Sequence, residues 1–127
     1  MTRWLVDGMN VIGSRPDGWW RDRPAAMRAL AARLAAFAGG GDQVTVVFDG
    51  REPGEPVEAS GVEVLFAPGG PNSADDRIVE IVAADEDPGR LTVVSSDSGL
   101  VGRVAELGAQ VVGAGEFRNR IEGRSRA

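Results

Sequence analysis

The sequence predicts an α/β fold: a three-layer α/β/α sandwich around a parallel sheet of about five strands. Two observations lead to this prediction. Short apolar segments alternate with longer helical segments along the whole chain, as in successive βαβ units. The segment from Val44 to Phe48 is also largely apolar, which is typical of a strand that is buried on both faces of a parallel sheet. At 127 residues, the chain is long enough for one domain with one core.

The five predicted strands are short apolar runs at residues 4–6, 44–48, 62–66, 91–94 and 110–112. Four helices are predicted at residues 24–38, 73–84, 98–107 and 116–122. Between the first strand and the first helix lies a Gly-, Pro-, Arg- and Trp-rich loop, residues 8–23, which is long enough to suggest a functional role. We assign residues 1–122 to the domain and expect residues 123–127 to form a disordered Arg-rich tail.

Residues with special backbone preferences set the helix boundaries. Pro24 suits the first turn of a helix, and Gly39 suits the residue after a helix end. Ser73 opens the second helix at capping-box spacing from Asp76, and Gly108 ends the third. Right-handed crossovers then allow the strand order 3-2-1-4-5, in which the ligand site lies at the carboxyl ends of the strands.

Composition excludes several kinds of chemistry. The sequence contains no cysteine, histidine or lysine, so all 14 basic residues are arginines. Thiolate and histidine metal sites, Ser-His triads, Schiff bases and the P-loop lysine are therefore excluded. The net charge of −5 is unusual for a nucleic-acid binder, although a bound cation would offset part of it. We find neither a membrane span nor a signal peptide and expect a cytoplasmic protein.

Acidic residues follow apolar strands or open a helix at four places in the sequence. Asp7, Asp49 and Asp97 each lie at the predicted carboxyl end of a strand, and Asp75 lies at the start of a helix. In the order 3-2-1-4-5, Asp7 would have Asp49 on one side and Asp97 on the other. Crowded carboxylates repel one another unless a cation lies between them, and oxygen ligands suit Mg²⁺ or Mn²⁺. The pattern predicts a metal-dependent enzyme.

The same segments resemble a known family. Asp7-Gly8-Met9-Asn10, Val47-Phe48-Asp49, Ala74-Asp75-Asp76 and Ser95-Ser96-Asp97 follow the order and spacing of NYN domains, and most closely those of the YacP-like branch of the PIN-like nuclease superfamily. The resemblance implies a metal-dependent ribonuclease that cleaves RNA phosphodiester bonds, expected to act within chains. It assigns catalytic roles to Asp7, Asn10, Asp75 and Asp97, and metal binding to the three aspartates together with Asp49.

Two positions depart from the family pattern. Met9 replaces a tyrosine that is frequent in related sequences, and we expect this change to affect packing or base contact rather than metal binding. Gly99 stands where many PIN-like nucleases carry a further acid, so the sequence leaves open whether one or two metal ions bind.

Each acidic position also has a purely structural interpretation. Asp7 and Asp49 both precede glycine, the usual arrangement in an Asp-Gly turn. Asn10 and Asp97 could each cap a helix, and the acids at 75 and 76 could complement a helix dipole. Since the capping-box spacing gives Asp76 a structural role, we favour Asp75 as the ligand.

Candidate substrate-binding residues lie in two regions. The hydroxyl groups of Ser96 and Ser98 could position a phosphate or a water molecule. In the loop after the first strand, the remaining candidates could stack on single-stranded bases or bind phosphates: Arg15, Trp19, Trp20, Arg21 and Arg23. For the tryptophan pair, packing back onto the core is an equally good alternative.

Two other functions were compared with the ribonuclease. A catalytically inactive RNA-binding or ribosome-associated module of the same fold would share all these features except cleavage. A phosphoryl-transfer receiver or phosphatase is disfavoured because both families rely on a lysine, which this chain lacks. The expected partner is RNA, free or on the ribosome, and the sequence leaves monomer and dimer open.

Overall fold

The computed structural model of the protein describes residues 1–70 and 72–126, and the side chains of residues 1–70 and 72–123. Five parallel strands form one sheet in the order β3-β2-β1-β4-β5, which confirms the predicted topology. The strands are β1 (Arg3–Asp7), β2 (Gln43–Asp49), β3 (Val62–Ala67), β4 (Leu91–Val94) and β5 (Gln110–Val112). The five α-helices are α1 (Gly8–Ile12), α2 (Arg23–Ala38), α3 (Ser73–Ala84), α4 (Ser98–Glu106) and α5 (Ala114–Arg126).

Two predicted segments differ from the observed ones. The predicted loop at 8–23 contains the short helix α1 and a 3-10 helix at Trp19–Arg21. The last helix was predicted at 116–122 but begins two residues earlier and continues to Arg126. The side chains of residues 124–126 and the whole of residue 127 lie outside the described part of the chain, so the predicted disorder of the tail at 123–127 stays a prediction.

The sheet separates two hydrophobic clusters, because alternate residues of β1 point to opposite faces. Trp4 and Val6 pack on the α1, α2 and α5 side, where the Trp4 ring lies 5.4 Å from Phe37 and 5.1 Å from Phe117. Leu5 points to the other side and packs with the apolar faces of α3 and α4. Helices therefore cover both faces, as the α/β/α prediction requires.

The central position of β1 controls what meets at the carboxyl edge of the sheet. Asp7 is the last residue of β1 and is aligned with Val47 of β2. On the other side, Val6 is aligned with Val94 of β4, so that Ser95 follows directly beside Asp7. Two neighbouring strands thus deliver polar residues to the end of β1.

A cluster of charged side chains fastens the segment after α1 to α5. The Arg118 guanidinium donates to the Ile12 carbonyl oxygen at 2.9 Å and to the Asp17 carboxylate at 2.7 Å. It also pairs with Glu122, which forms an ion pair with Arg15 as well. The hydrogen bond and the positive charge of Arg118 keep the pKa of Asp17 below its ordinary value. These contacts fix the loop that leads to Trp19–Arg21.

Among the described residues, no helix combines the length and the apolar character that a bilayer crossing requires.

We expect Arg118→Met to lower the free energy of unfolding by about 2–3 kcal/mol, because it leaves buried Glu122 and the α1 carbonyls without this donor. Urea denaturation measures the change. Arg90→Met is the matched control, since Arg90 pairs with Asp87 while 82% of its side chain is exposed. The control should change stability by less than about 0.5 kcal/mol. Equal effects of the two substitutions would contradict a stabilising role for Arg118.

Candidate active site

Asp7 is buried at the centre of the carboxyl edge, with only 4% of its surface exposed. The Ser95 hydroxyl donates a hydrogen bond of 2.9 Å to its Oδ2 atom. Burial raises the pKa of Asp7 to about 6, and repulsion from Asp75 and Asp49 adds to the increase, while the Ser95 bond opposes it. A carboxylate in this position is costly to keep charged unless a cation is near.

Asp49 and Asp97 each use one carboxylate oxygen to cap a helix. The Ala74 N–H of α3 donates to Asp49 Oδ1 at 3.0 Å. In the same way, the Leu100 N–H of α4 donates to Asp97 Oδ1 at 3.0 Å. The capping interpretation of Asp97 is thus correct, and Asp49 also precedes a turn at Gly50, whose φ is 90°. In both carboxylates, the second oxygen has no hydrogen bond within the described part of the chain.

The neighbours Asp75 and Asp76 have different environments. Asp75 is half-buried, and its pKa is raised by burial and by repulsion from Asp97 and Asp49. Asp76 is exposed and forms an ion pair of 2.9 Å with Arg103 of α4. Asp75 is therefore the member of the pair that contributes charge to the acidic edge.

The predicted capping box at the start of α3 is not formed. The N-cap residue is Asn72, in the left-handed region with a φ of 66°, and its side chain makes no capping hydrogen bond. Ser73 instead lies inside the helix and donates through Oγ to the Ala67 carbonyl oxygen. The capping-box prediction failed because Ser73 is the first residue inside the helix, and the Asp76 N–H donates to the Asn72 carbonyl oxygen.

Asn10 lies within α1 and is held by the segment after β4. Its Oδ1 atom accepts a hydrogen bond of 2.8 Å from the Ser96 N–H. The Ser96 hydroxyl in turn accepts from the Ala114 N–H at the start of α5, at 2.9 Å. Since the oxygen of the Asn10 carboxamide is occupied, the NH₂ group is the part that could act on a ligand.

Gly8 is required by packing and not by a turn. It opens α1 with no positive φ, so the Asp-Gly turn that was the structural alternative at Asp7 is absent. A Cβ atom at Gly8 would lie 2.5 Å from the Phe48 ring. The glycine therefore lets α1 begin against β2 immediately after Asp7, which brings Asn10 over the sheet edge.

The candidate substrate-binding residues are only partly brought together. Trp19 is half-buried and contacts Trp20 edge to face at 5.8 Å between ring centroids, while Trp20 is 53% exposed. The Arg23 guanidinium lies 5.9 Å from the Trp19 ring centroid. By contrast, Arg15 is directed onto α5, where it bonds to Asn119 and Glu122. Exposed side chains complete the set: Arg21, Ser96 and Ser98.

Two cavities lie near this loop. One, of about 310 Å³, is open and adjoins the acidic edge; it is lined by Arg23, Asp49, Gly50, Gly70 and Asn72. The other, of about 330 Å³, lies between the loop, α2 and α5, and none of the four candidate aspartates lines it. The first cavity is the one that can serve chemistry at the acidic edge.

Sequence reasoning missed Ser95 and Asn72. Ser95 could have been found, because the predicted strand order places the residue after β4 beside the end of β1. Asn72 had no comparable signal, since it belongs to a Pro- and Gly-rich segment whose path depends on the tertiary structure.

The donor groups suit a hard divalent cation, but their spacing limits how it could be held. All candidate ligands are carboxylate oxygens, and no group of three acidic side chains in the described residues is close enough to hold an ion directly. Mg²⁺ commonly keeps several of its waters and is bound by one or two carboxylates. Burial and then repulsion from Asp75 and Asp49 raise the pKa of Asp7, while burial and then repulsion from Asp97 and Asp49 raise that of Asp75.

Comparisons with known proteins agree with this architecture. The chain is 35% identical over 102 residues to UPF0178 proteins of Xanthomonas oryzae pv. oryzae, covering 78% of this chain. It spans only 58% of the length of those curated relatives. The crystal structure of Rae1 (YacP) from Bacillus subtilis superimposes on this chain with a TM-score of 0.82 and 27% sequence identity. The match covers 99% of this chain and 76% of the Rae1 chain. The structure of a single-residue mutant of Rae1 gives a TM-score of 0.78 and 28% sequence identity. That match covers 98% of this chain and 76% of the mutant chain.

The family model of the YacP-like NYN domain matches residues 4–127, which is nearly the whole chain. The chain therefore belongs to the YacP-like NYN domain family and has its PIN-like nuclease fold.

Proposed function

We propose that this protein is a divalent-metal-dependent ribonuclease that hydrolyses RNA phosphodiester bonds within the chain. The observation that supports this most strongly is the convergence of four carboxylates on one sheet edge, where burial and mutual repulsion raise the pKa of Asp7 to about 6. Structural capping accounts for one oxygen each of Asp49 and Asp97, but it does not account for Asp7 or Asp75.

The acidic residues would bind Mg²⁺ or Mn²⁺. In the proposal, Asp7, Asp75 and Asp97 hold the ion directly or through water, and Asp49 lies near the rim. Such an ion supplies charge neutralisation, polarisation of a phosphate oxygen and activation of a water molecule. The chain contributes the position and charge of these carboxylates, and it offers no histidine or lysine as an alternative base.

Asn10 would orient the substrate. The Ser96 N–H occupies its carboxamide oxygen, so the NH₂ group donates to a phosphate oxygen of the RNA. A neutral donor is well suited to this place, because it adds no further negative charge to the acidic edge.

The exposed part of the loop would bind the RNA strand. Trp20 offers an exposed ring for base stacking, and Arg21 and Arg23 offer positive charge to the phosphates. The substrate is RNA, either free or presented by the ribosome. Arg15 contributes indirectly, since its ion pair with Glu122 fastens the loop to α5.

A second candidate is the RNA-binding module without turnover. The observation that favours it is the absence of a tight group of three acids among the described side chains. It predicts Mn²⁺ and RNA binding without metal-dependent cleavage, which a calorimetric titration paired with a mixed-RNA cleavage assay distinguishes.

We expect Asp75→Asn and Asp97→Asn to reduce the rate of Mn²⁺-dependent RNA cleavage by at least about 100-fold, because each removes a charge that balances the ion. Asparagine at position 97 still caps α4. The matched control is Asp76→Asn, which breaks only the exposed pair with Arg103 and should cleave within about threefold of the wild-type rate. Full activity of both variants would rule out this assignment.

Asn10→Asp tests whether the Asn10 side chain donates a hydrogen bond to the RNA phosphate. It keeps an oxygen for the Ser96 N–H but replaces the NH₂ donor by a negatively charged oxygen. We expect Mn²⁺ affinity to be kept or increased while kcat falls by about 100-fold. If Asn10 were instead a metal ligand through its oxygen, cleavage by this variant would be kept.

Asp7 should destabilise the metal-free protein at neutral pH. Because its folded pKa of about 6 exceeds the ordinary value of 3.8, its contribution to stability is present below pH 4 and is lost as pH rises through 6. We expect Asp7→Asn to raise the free energy of unfolding by about 2 kcal/mol at pH 7.5 in EDTA and to change it little at pH 4.

Thermal and urea denaturation at the two pH values measure this difference. Ser95→Ala should instead lower the free energy of unfolding, because it removes the hydrogen-bond donor to the charged Asp7 carboxylate. The decrease should be larger at pH 7.5 than at pH 4. Mn²⁺ should raise the Tm of the wild type but not that of Asp7→Asn. A pH-independent effect of Asp7→Asn would contradict the proposed cost of its charge.

A further inference from the structure

The open cavity beside Asp49 is formed by three segments that are distant in sequence. Arg23 comes from the start of α2, Gly50 from the turn after β2, and Gly70 and Asn72 from the approach to α3. Its volume of about 310 Å³ falls at the lower end of the ~300–1,000 Å³ typical of small-ligand sites. The cavity therefore has room for about one nucleotide next to the acidic edge.

Two of the five residues that line the cavity are glycines. Gly50 and Gly70 have φ values of 90° and 95°, and apart from their two chain neighbours no described residue lies within 4 Å of the position that a Cβ would take at either glycine. These conformations favour glycine, and the space beside them is open. A ligand can thus approach the main chain closely at these two glycines.

Asn72 supplies hydrogen-bonding groups that the fold does not use. It is the one non-glycine residue with a positive φ in the described chain, and it stands at the N-cap of α3 without making a capping bond. The helix start is satisfied instead by the Asp49 carboxylate, which accepts from Ala74. The Asn72 carboxamide is exposed and has no hydrogen bond to any described residue.

Arg23 supplies positive charge to the same cavity. It is exposed and forms no ion pair within the described part of the chain, although at least seven other arginines in that part do. Its guanidinium is held at the Trp19 ring by a cation–π contact. An arginine that is positioned but unpaired beside an acidic centre is well suited to a phosphate group.

We propose that this cavity binds the nucleotide next to the cleaved bond, with Arg23 contacting its phosphate and Asn72 hydrogen-bonding its sugar or base edge. This inference rests on the proposed ribonuclease function and adds a substrate-positioning site to it. Asn72 and Arg23 act in binding, so their loss should raise KM with little change in kcat. Loss of the acids should instead lower kcat.

The test compares Arg23→Gln and Asn72→Gly with the wild type. Glycine adopts the backbone conformation of Asn72 without strain, so this variant should melt no lower than the wild type. The matched control is Arg90→Gln, which removes the same charge at the opposite edge of the sheet, just before β4. Affinity for a labelled single-stranded RNA 12-mer is measured by fluorescence anisotropy in Mg²⁺, in the Asp97→Asn background so that the RNA stays intact.

We expect both cavity variants to weaken RNA binding by about 5- to 10-fold and to raise KM in the Mn²⁺ cleavage assay by a similar factor. Arg23→Gln should also reduce the slope of log K against log salt by about 0.7, as expected for one lost phosphate contact to a single strand. The parent in the binding assay is Asp97→Asn. Adding Arg23→Gln, Asn72→Gly or Arg90→Gln should leave its Mn²⁺ affinity unchanged, and adding Arg90→Gln should change its RNA affinity by no more than about twofold.

Two results would overturn the inference in different ways. If the parent binds and the wild type cleaves RNA, but both cavity variants behave like Arg90→Gln, the subsite is wrong while the ribonuclease proposal stands. If the wild type neither binds nor cleaves RNA in the presence of Mn²⁺, the ribonuclease proposal fails, and the subsite fails with it.

Discussion

The hydrogen bond from the Ser95 hydroxyl to the Asp7 carboxylate joins the two strands on which the candidate site depends. Parallel pairing aligns Val6 with Val94, so the next residue of each strand meets at the sheet edge. Ser95 Oγ also accepts the Asp97 N–H at 3.1 Å, so one hydroxyl orients two of the acids. Around this bond the fold tolerates a buried negative charge that its hydrophobic core would otherwise exclude. Retention of such a charge is easier to explain by function than by stability.

The sequence predicted most of the fold because strand pairing is controlled by short apolar runs. The apolar runs at 44–48 and 91–94 identified two of the strands, and the order 3-2-1-4-5 is one that right-handed crossovers allow. Helix α1 was missed because its five residues are too few to show a helical period. The role of Gly8 was also hidden, since it depends on the Phe48 ring of another strand. Of the candidate site, the acids could be located from sequence, whereas Asn72 and the cavity depend on how distant loops meet.

Structural and functional interpretations of the acids proved compatible. A carboxylate has two oxygens, and at both Asp49 and Asp97 one oxygen completes a helix start. The hydrogen bond from the helix N–H to the first oxygen therefore holds the whole carboxylate in one orientation, and this sets the position of the second oxygen. Asp49 also links β2 to α3, the helix that carries Asp75. Two acids from different segments are thus held as one unit, although the sequence separates them by 26 positions.

The contacts of Arg118 have a consequence for the order in which the molecule is assembled during synthesis. They connect α5 to Ile12 and Asp17 across 106 and 101 positions of sequence. A nascent chain makes β1 well before α5, yet the loop with the tryptophan pair gains its anchor only after α5 has emerged from the ribosome. Until then the loop has been synthesised but does not have its final conformation. The contacts that stiffen the finished loop are thus absent from a half-made chain, so the tryptophan pair takes its final position late in synthesis.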